Sequence, residues 1–183
     1  MPKKPFNDCM IDLETTGRSA GCGILSIGAV MFNSSGTGDT FYSVIYLPSC
    51  DRAGLVPNLE TMGWWNSQSA EARKVLEEAK KKKSSVPLHD ALCAFSSWLP
   101  PASRVHGNGA DFDLPILGYA YEAEGLPLPW KPFNGRCFRT LKNLYKDVKQ
   151  PKRVGTHHNA LDDAIFQAKY AIAIVKAKGL ELA

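Results

Sequence analysis

Asp12 and Glu14 lie two residues apart in Met10-Ile11-Asp12-Leu13-Glu14-Thr15-Thr16-Gly17, at the end of a short apolar run. On an extended strand, residues two apart point to the same face. Two carboxylates can therefore share one face while Ile11 and Leu13 pack behind. A hard divalent cation takes oxygen ligands, and Mg2+ often uses only one or two carboxylates plus phosphate. Two such acids beside a Gly-bearing turn look like half of a phosphoryl-transfer metal site. The bland reading is a pair of solvated acids at a strand end.

The second half of the chain carries matching groups. Phe112-Asp113 follows the Gly109-Ala110 bend and opens a helix, with Asp111 as a rival for the same role. His158 precedes Asp163 by five residues, and His157 precedes Asp162 by the same interval. One short segment can thus offer a carboxylate at a helix start and an imidazole on the loop before it. Four carboxylates suit two Mg2+ or Mn2+ ions about 3.5–4 Å apart. One ion would lower the pKa of a water and aim it at phosphorus; the other would stabilise the leaving oxygen. His158, neutral near pH 7, suits the role of base. Without cations the acids repel one another, so the metal-free site should be less settled.

These residues need a scaffold. Cys9 to Ile11 begins a buried strand, and Gly21 to Phe32 gives a second. Asn33-Ser34-Ser35-Gly36 is a turn signal. Thr37 to Leu47, rich in β-branched and aromatic residues, is a third strand in an antiparallel meander. Pro48 to Pro57 reads as a surface loop. Asn58 or Thr61 caps a short helix, and Ser69 caps the next, which ends at Lys80-Lys81-Lys82-Lys83. Those lysines suit the helix dipole as a solvated end; steering of phosphate is the sharper alternative.

Pro87 opens a helix with Leu88, Leu92, Phe95 and Leu99 on one side, and Pro100-Pro101 stops it. Arg104 to His106 is an internal strand. A helix follows with Leu114, Leu117, Ala120 and Tyr121 on one side. Gly125 to Gly135 is irregular, and Arg136 or Cys137 to Tyr145 is helical. Lys146 to Thr156 is a basic loop. Ala160 to Lys178 is a long last helix with Gly179 as its C-terminal cap. Strands first, then helices alternating with short strands, make an α/β arrangement with a mixed sheet.

At 183 residues the expectation is one domain spanning 1–183, with a core that needs no staples. The formal charge of +4 is compatible with a polyanionic partner. Met1 to Asp8 is too short and polar for a signal peptide, and no apolar run suffices for a membrane span. The five cysteines are scattered, odd in number and lack a Cys-x-x-Cys pair. Free thiols in a reducing cytoplasm are the simplest account.

Asp12 to Gly17, Asn108 to Leu117 around Phe112-Asp113, and His158-Asn159-Ala160-Leu161-Asp162-Asp163 occur in that order. Together they resemble the three motifs of the DEDD exonucleases with a histidine in the third motif, within the ribonuclease H-like superfamily. The likeness spans most of the chain. It is nearest to small bacterial and phage 3'-5' exonucleases of the DexA and mycobacterial exoribonuclease type, through the Trp64-Trp65 region and Gly107-Asn108-Gly109-Ala110. The resemblance implies a five-stranded mixed sheet flanked by helices, with the site across the first strand. It favours Asp113 over Asp111, and His158 with Asp163 over His157 with Asp162. It further implies Asp12, Glu14, Asp113 and Asp163 as ligands of two divalent ions and His158 as base. The activity that the resemblance implies is 3'-5' hydrolysis of single-stranded RNA or DNA, with release of nucleoside 5'-monophosphates. RNA is placed ahead of DNA, although no residue settles the contact to the 2'-hydroxyl. A homodimer and a bacterial or phage origin belong to the same expectation.

Candidate substrate contacts follow. Leu13 and Phe112 could wedge against a terminal base, with core packing as the alternative. Thr15 and Thr16 could hydrogen-bond a terminal nucleotide. Asn108 could contact phosphate or sugar, or form the turn. Trp64, Trp65 and Gln68 could flank a single strand, since stacking on aromatic rings tolerates any base. Adjacent tryptophans on a helix cannot face the same way, so at least one belongs to the core or to an interface. Lys152 and Arg153, with Lys149, could meet the backbone. Arg136 and Arg139 read as a solvated face, and His89 and His106 as structural or surface residues. The rivals are a polymerase-bound proofreading subunit and a catalytically silent nucleic-acid-binding module. The second gains nothing from negative charge clustered near phosphate.

Overall fold

The computed structural model describes residues 6–181, so the first five residues of the polar N-terminal stretch lie outside the described residues. Strand β1, Asp8–Thr15, runs on through both acids of the first motif. It pairs antiparallel with β2, Ile24–Asn33, which pairs antiparallel with β3, Gly36–Val44. The Asn33 side chain accepts the Ser35 and Gly36 N–H groups and closes the turn between β2 and β3. On its other edge β1 runs parallel to β4, Arg104–Gly107, which runs parallel to β5, Gly135–Cys137. The result is the expected mixed five-stranded sheet, in the order β3-β2-β1-β4-β5.

Every residue of β2 is buried. That is why the strand reads as a near-continuous apolar run: helices cover both of its faces. Among the described residues, seven α-helices surround the sheet: α1, Leu47–Arg52; α2, Leu59–Asn66; α3, Ala70–Ala79; α4, Leu88–Trp98; α5, Asp113–Ala123; α6, Phe138–Leu144; and α7, Ala160–Lys178. Asn58 caps α2 through the Thr61 N–H, and Ser69 caps α3 through the Ala72 N–H. Gly179 ends α7 in the left-handed conformation.

The period of two along β1 divides the core. Cys9, Ile11 and Leu13 pack with Leu88, Leu92, Phe95 and Leu117 from α4 and α5. Met10 points to the other side, where Ala164, Ala168 and Ala171 of α7 pack. Asp12 and Glu14 therefore belong to the face that α7 covers. Small alanines let that helix come close, and Gly28 of β2, opposite Asp12, permits the closest approach. A Cβ on Gly28 would lie 2.1 Å from the Ala160 carbonyl carbon.

Asp8 anchors the start of β1. Arg104 donates to both of its oxygens at 2.9 and 2.6 Å, and His106 Nε2 lies 2.8 Å from Oδ1. Burial opposes the charge, but these partners hold the Asp8 carboxyl below its usual range. His106 is thus a buried structural residue.

Two expectations are corrected. Pro48 to Pro57 is not wholly a loop, because α1 occupies its first part, with proline in the first helical turn where no backbone N–H is needed. Cys50 of α1 is buried against the Ile24 carbonyl. Arg136 and Cys137 belong to β5 rather than to a helix. A three-residue strand is too short to show a period. All five cysteines are free thiols. No helix among the described residues is long and apolar enough to cross a membrane.

Candidate active site

A cavity of about 590 Å³ opens over the face of β1 that carries the acids. Asp12 and Glu14 reach it from β1, and Asp163 from the first turn of α7. The Asn159 side chain accepts the Asp162 N–H and starts that helix, which fixes where Asp163 points. Asp163 in turn orders the preceding loop, since its Oδ2 accepts the His158 N–H at 3.0 Å. His158 itself has φ 61°, a left-handed conformation uncommon for a residue with a Cβ. Its ring meets Trp64 edge-on, with centroids 5.0 Å apart.

Glu14, His158 and Asp163 each offer a ligand atom, and the three atoms lie within 4.8 Å of one another. Asp113 lies at the N-terminus of α5 and is buried beside β1. Its Oδ1 accepts the Leu13 N–H at 3.1 Å and its Oδ2 the Asn108 N–H at 2.7 Å. Those bonds tie the second motif to the first. Asp111, its rival, is exposed.

The charges are close enough to disturb one another. Burial, then the Asp113, Glu14 and Asp163 charges, push the Asp12 carboxyl well above its usual range, against a hydrogen bond from Gln167. Burial and the Asp163 and Asp113 charges push Glu14 up to about 8. Burial raises Asp113 to about 6, against the N–H groups of Asn108 and Leu13. Burial lowers His158, although Asp163 opposes this. A buried set of acids that hinder one another's ionisation lacks positive charge. A cluster of hard oxygen donors with one imidazole fits a divalent cation. Part of that charge now comes from Arg153, whose Nη1 donates to Asp163 Oδ1 while its guanidinium lies 4.2 Å over the Phe166 ring.

The structure sorts the other candidates. Leu13, Thr15, Trp64, Trp65, Asn108, Phe112 and Arg153 line the cavity. Leu13 is also packed in the core. Trp65 is 1% exposed and donates its indole N–H to the Thr15 carbonyl at 2.9 Å, whereas Trp64 is 43% exposed. Thr16, Gln68 and Lys152 are not in the cavity lining. Thr16 is buried and donates to the Gly23 carbonyl, Gln68 bonds the Trp64 carbonyl, and Lys152 is exposed. The Lys80 to Lys83 run is exposed beyond the end of α3 and also outside the lining. Arg139, read as part of a solvated face, donates to the Asn108 carbonyl at 2.6 Å and so steadies the second motif.

Sequence reasoning passed over Gln167, Lys142, Gln150 and Tyr170, which line the same cavity. Gln167 had a signal: it is a polar residue four after Asp163, between Ala164, Ala168 and Ala171 on a helix face that otherwise packs on the sheet.

Comparison with known proteins agrees with this architecture. The nuclease domain of 3'hExo, described as a DEDDh family member bound to rAMP, superposes with a TM-score of 0.60 at 16% identity. That match covers 96% of this chain and 94% of the other. Exonuclease X, in complex with 5' overhanging duplex DNA, gives a TM-score of 0.56 at 18% identity, covering 93% and 92%. At such identities these likenesses speak for the fold. No curated protein matches the sequence. Residues 7–175, nearly the whole chain, match the family model described as the 3'-5' exoribonuclease Rv2179c-like domain, and the chain belongs to that family.

Proposed function

We propose that this protein is a metal-dependent 3'-5' exonuclease that hydrolyses the terminal phosphodiester of single-stranded nucleic acid and releases nucleoside 5'-monophosphates. One observation carries the reading: distant motifs bring Asp12, Glu14, Asp163 and His158 into the lining of one cavity, while Asp113 lies buried outside that lining and is tied to β1 through the Leu13 N–H. The family's description as exoribonuclease puts RNA ahead of DNA.

Asp12, Glu14, Asp113 and Asp163 would hold two Mg2+ or Mn2+ ions. When bound, these would supply an activated water and charge stabilisation for the leaving 3' oxygen. His158 takes the proton from the attacking water. Its lowered pKa keeps it neutral near pH 7, and its loop position outside α7 gives its ring reach. Leu13, Phe112, Thr15 and Asn108 line the cavity, which supports a role for the first two beside the terminal base and for the other two near its sugar and phosphate. Half-exposed Trp64 offers a stacking face.

The test uses matched 5'-labelled single-stranded RNA and DNA with Mg2+, Mn2+ or EDTA, beside the Asp12→Ala protein. The expected result is a metal-dependent ladder that shortens from the 3' end. Equal cleavage by Asp12→Ala, or binding without cleavage by the wild type, would overturn the proposal.

A further inference from the structure

We infer that Gln167 is the positioning residue that fixes Asp12 for metal binding and sets the spacing between the acids of β1 and α7. The inference rests on the metal-dependent reading above and adds a residue outside its three motifs.

Gln167 follows Asp163 by four residues, so α7 presents both on the same face. Its Nε2 donates to Asp12 Oδ1 at 2.6 Å across the gap between helix and sheet. Asp12 thereby has one oxygen held and the other left for a cation. The preceding turn of the same helix carries Asp163, so the amide couples the position of one proposed ligand to the other. Nothing else hydrogen-bonded to the Asp12 side chain is found among the described residues.

The choice of an amide is costly here, which is the second observation. Gln167 is 5% exposed, and its Oε1 is sealed from solvent with no hydrogen-bond partner among the described residues. An orphaned buried acceptor of this kind typically destabilises a fold, because the group loses its water without gaining a partner. The neighbours on this face are Ala164, Ala168 and Ala171, so an apolar side chain of similar length would suit the packing. The position therefore serves Asp12 at some expense to the core. Groups that orient a metal ligand typically change metal affinity by about 10–100-fold when removed.

The test measures Mn2+ affinity by titration calorimetry and metal-free Tm for the wild type, Gln167→Met and Gln167→Asn. Methionine fills the space without the amide, and asparagine keeps the amide but cannot reach Asp12. Both variants should bind Mn2+ about 10–100-fold more weakly, while Gln167→Met keeps or exceeds the wild-type metal-free Tm. Mn2+ affinity within twofold of wild type in either folded variant would overturn the inference. So would a Gln167→Met protein whose metal-free Tm falls while its Mn2+ affinity holds, since that is the mark of a purely structural amide. A wild-type protein that takes up no Mn2+ would sink the metal-dependent reading itself, a different result from wild-type binding that survives loss of the amide.

Discussion

Gly28→Ala should dismantle the site from behind, without touching a single proposed ligand. Gly28 sits on β2 opposite Asp12, and an added Cβ would lie 2.1 Å from the Ala160 carbonyl carbon, 2.3 Å from the Leu161 nitrogen and 2.4 Å from the Ala160 oxygen. An ordinary contact begins near 3.4 Å, so helix and sheet must part by about 1.3 Å. The obstructing atoms are backbone and cannot rotate aside. The displaced turn is the one that carries Asp163, with Gln167 on the next. Overpacking of this kind costs roughly 1–3 kcal/mol, or about 2–12 °C in Tm for a chain of this size. Misplacement by about 1 Å can lower turnover by about 100-fold. Scanning calorimetry, Mn2+ titration and the labelled-strand assay would read all three effects. Gly36→Ala is the control, because nothing lies within 4 Å of its added Cβ. A Gly28→Ala protein with wild-type Tm, Mn2+ affinity and turnover would refute the claim that close contact of α7 with β2 sets the site.

Other outcomes follow from the same geometry. Asp12→Ala and Asp163→Ala should abolish turnover, while His158→Ala should cripple it with Mn2+ binding retained; wild-type turnover in all three would sink the site assignment. Glu14 and Asp113 have raised pKa values, so their contribution to metal-free stability is full below 4.5 and 3.8 respectively and is lost as pH rises through about 8 and about 6. Over that window the metal-free Tm should fall with a shallower slope in Glu14→Gln, and a Tm that rises equally in both proteins contradicts it. Turnover should hold through 6.5, the ordinary imidazole value, and decline only at lower pH, because His158 must be unprotonated to act as base and burial lowers its pKa. Arg153→Met frees Asp163 from a partly exposed pair worth roughly 1 kcal/mol. Mn2+ affinity should then rise about fivefold, and an unchanged titration would show that the arginine does not compete. Trp65→Ala should destabilise the protein by about 3–5 kcal/mol, whereas Trp64→Ala should weaken strand binding with Tm intact.

The acids and the histidine were legible because the chemistry depends on residue type and short spacing. A period of two placed Asp12 and Glu14 on one face, and a five-residue interval joined a loop imidazole to a helical carboxylate. The meander and the long last helix were equally readable from apolar runs, turn residues and caps. β5 and α1 were not, since elements this short take their form from neighbours. The choice of Asp113 over Asp111 became physical only when the Leu13 and Asn108 N–H groups closed on its carboxylate. The division of labour between Trp64 and Trp65 required knowledge of which side of α2 meets the core. Arg139 on the second motif, Arg153 on Asp163 and Gln167 on Asp12 span 31, 10 and 155 residues of sequence. The sequence by itself determined the candidate acids and histidine and most of the elements that carry them. Only the tertiary structure decided which groups restrain them, because hydrogen bonds across a helix–sheet gap follow from packing distance, which no local pattern encodes.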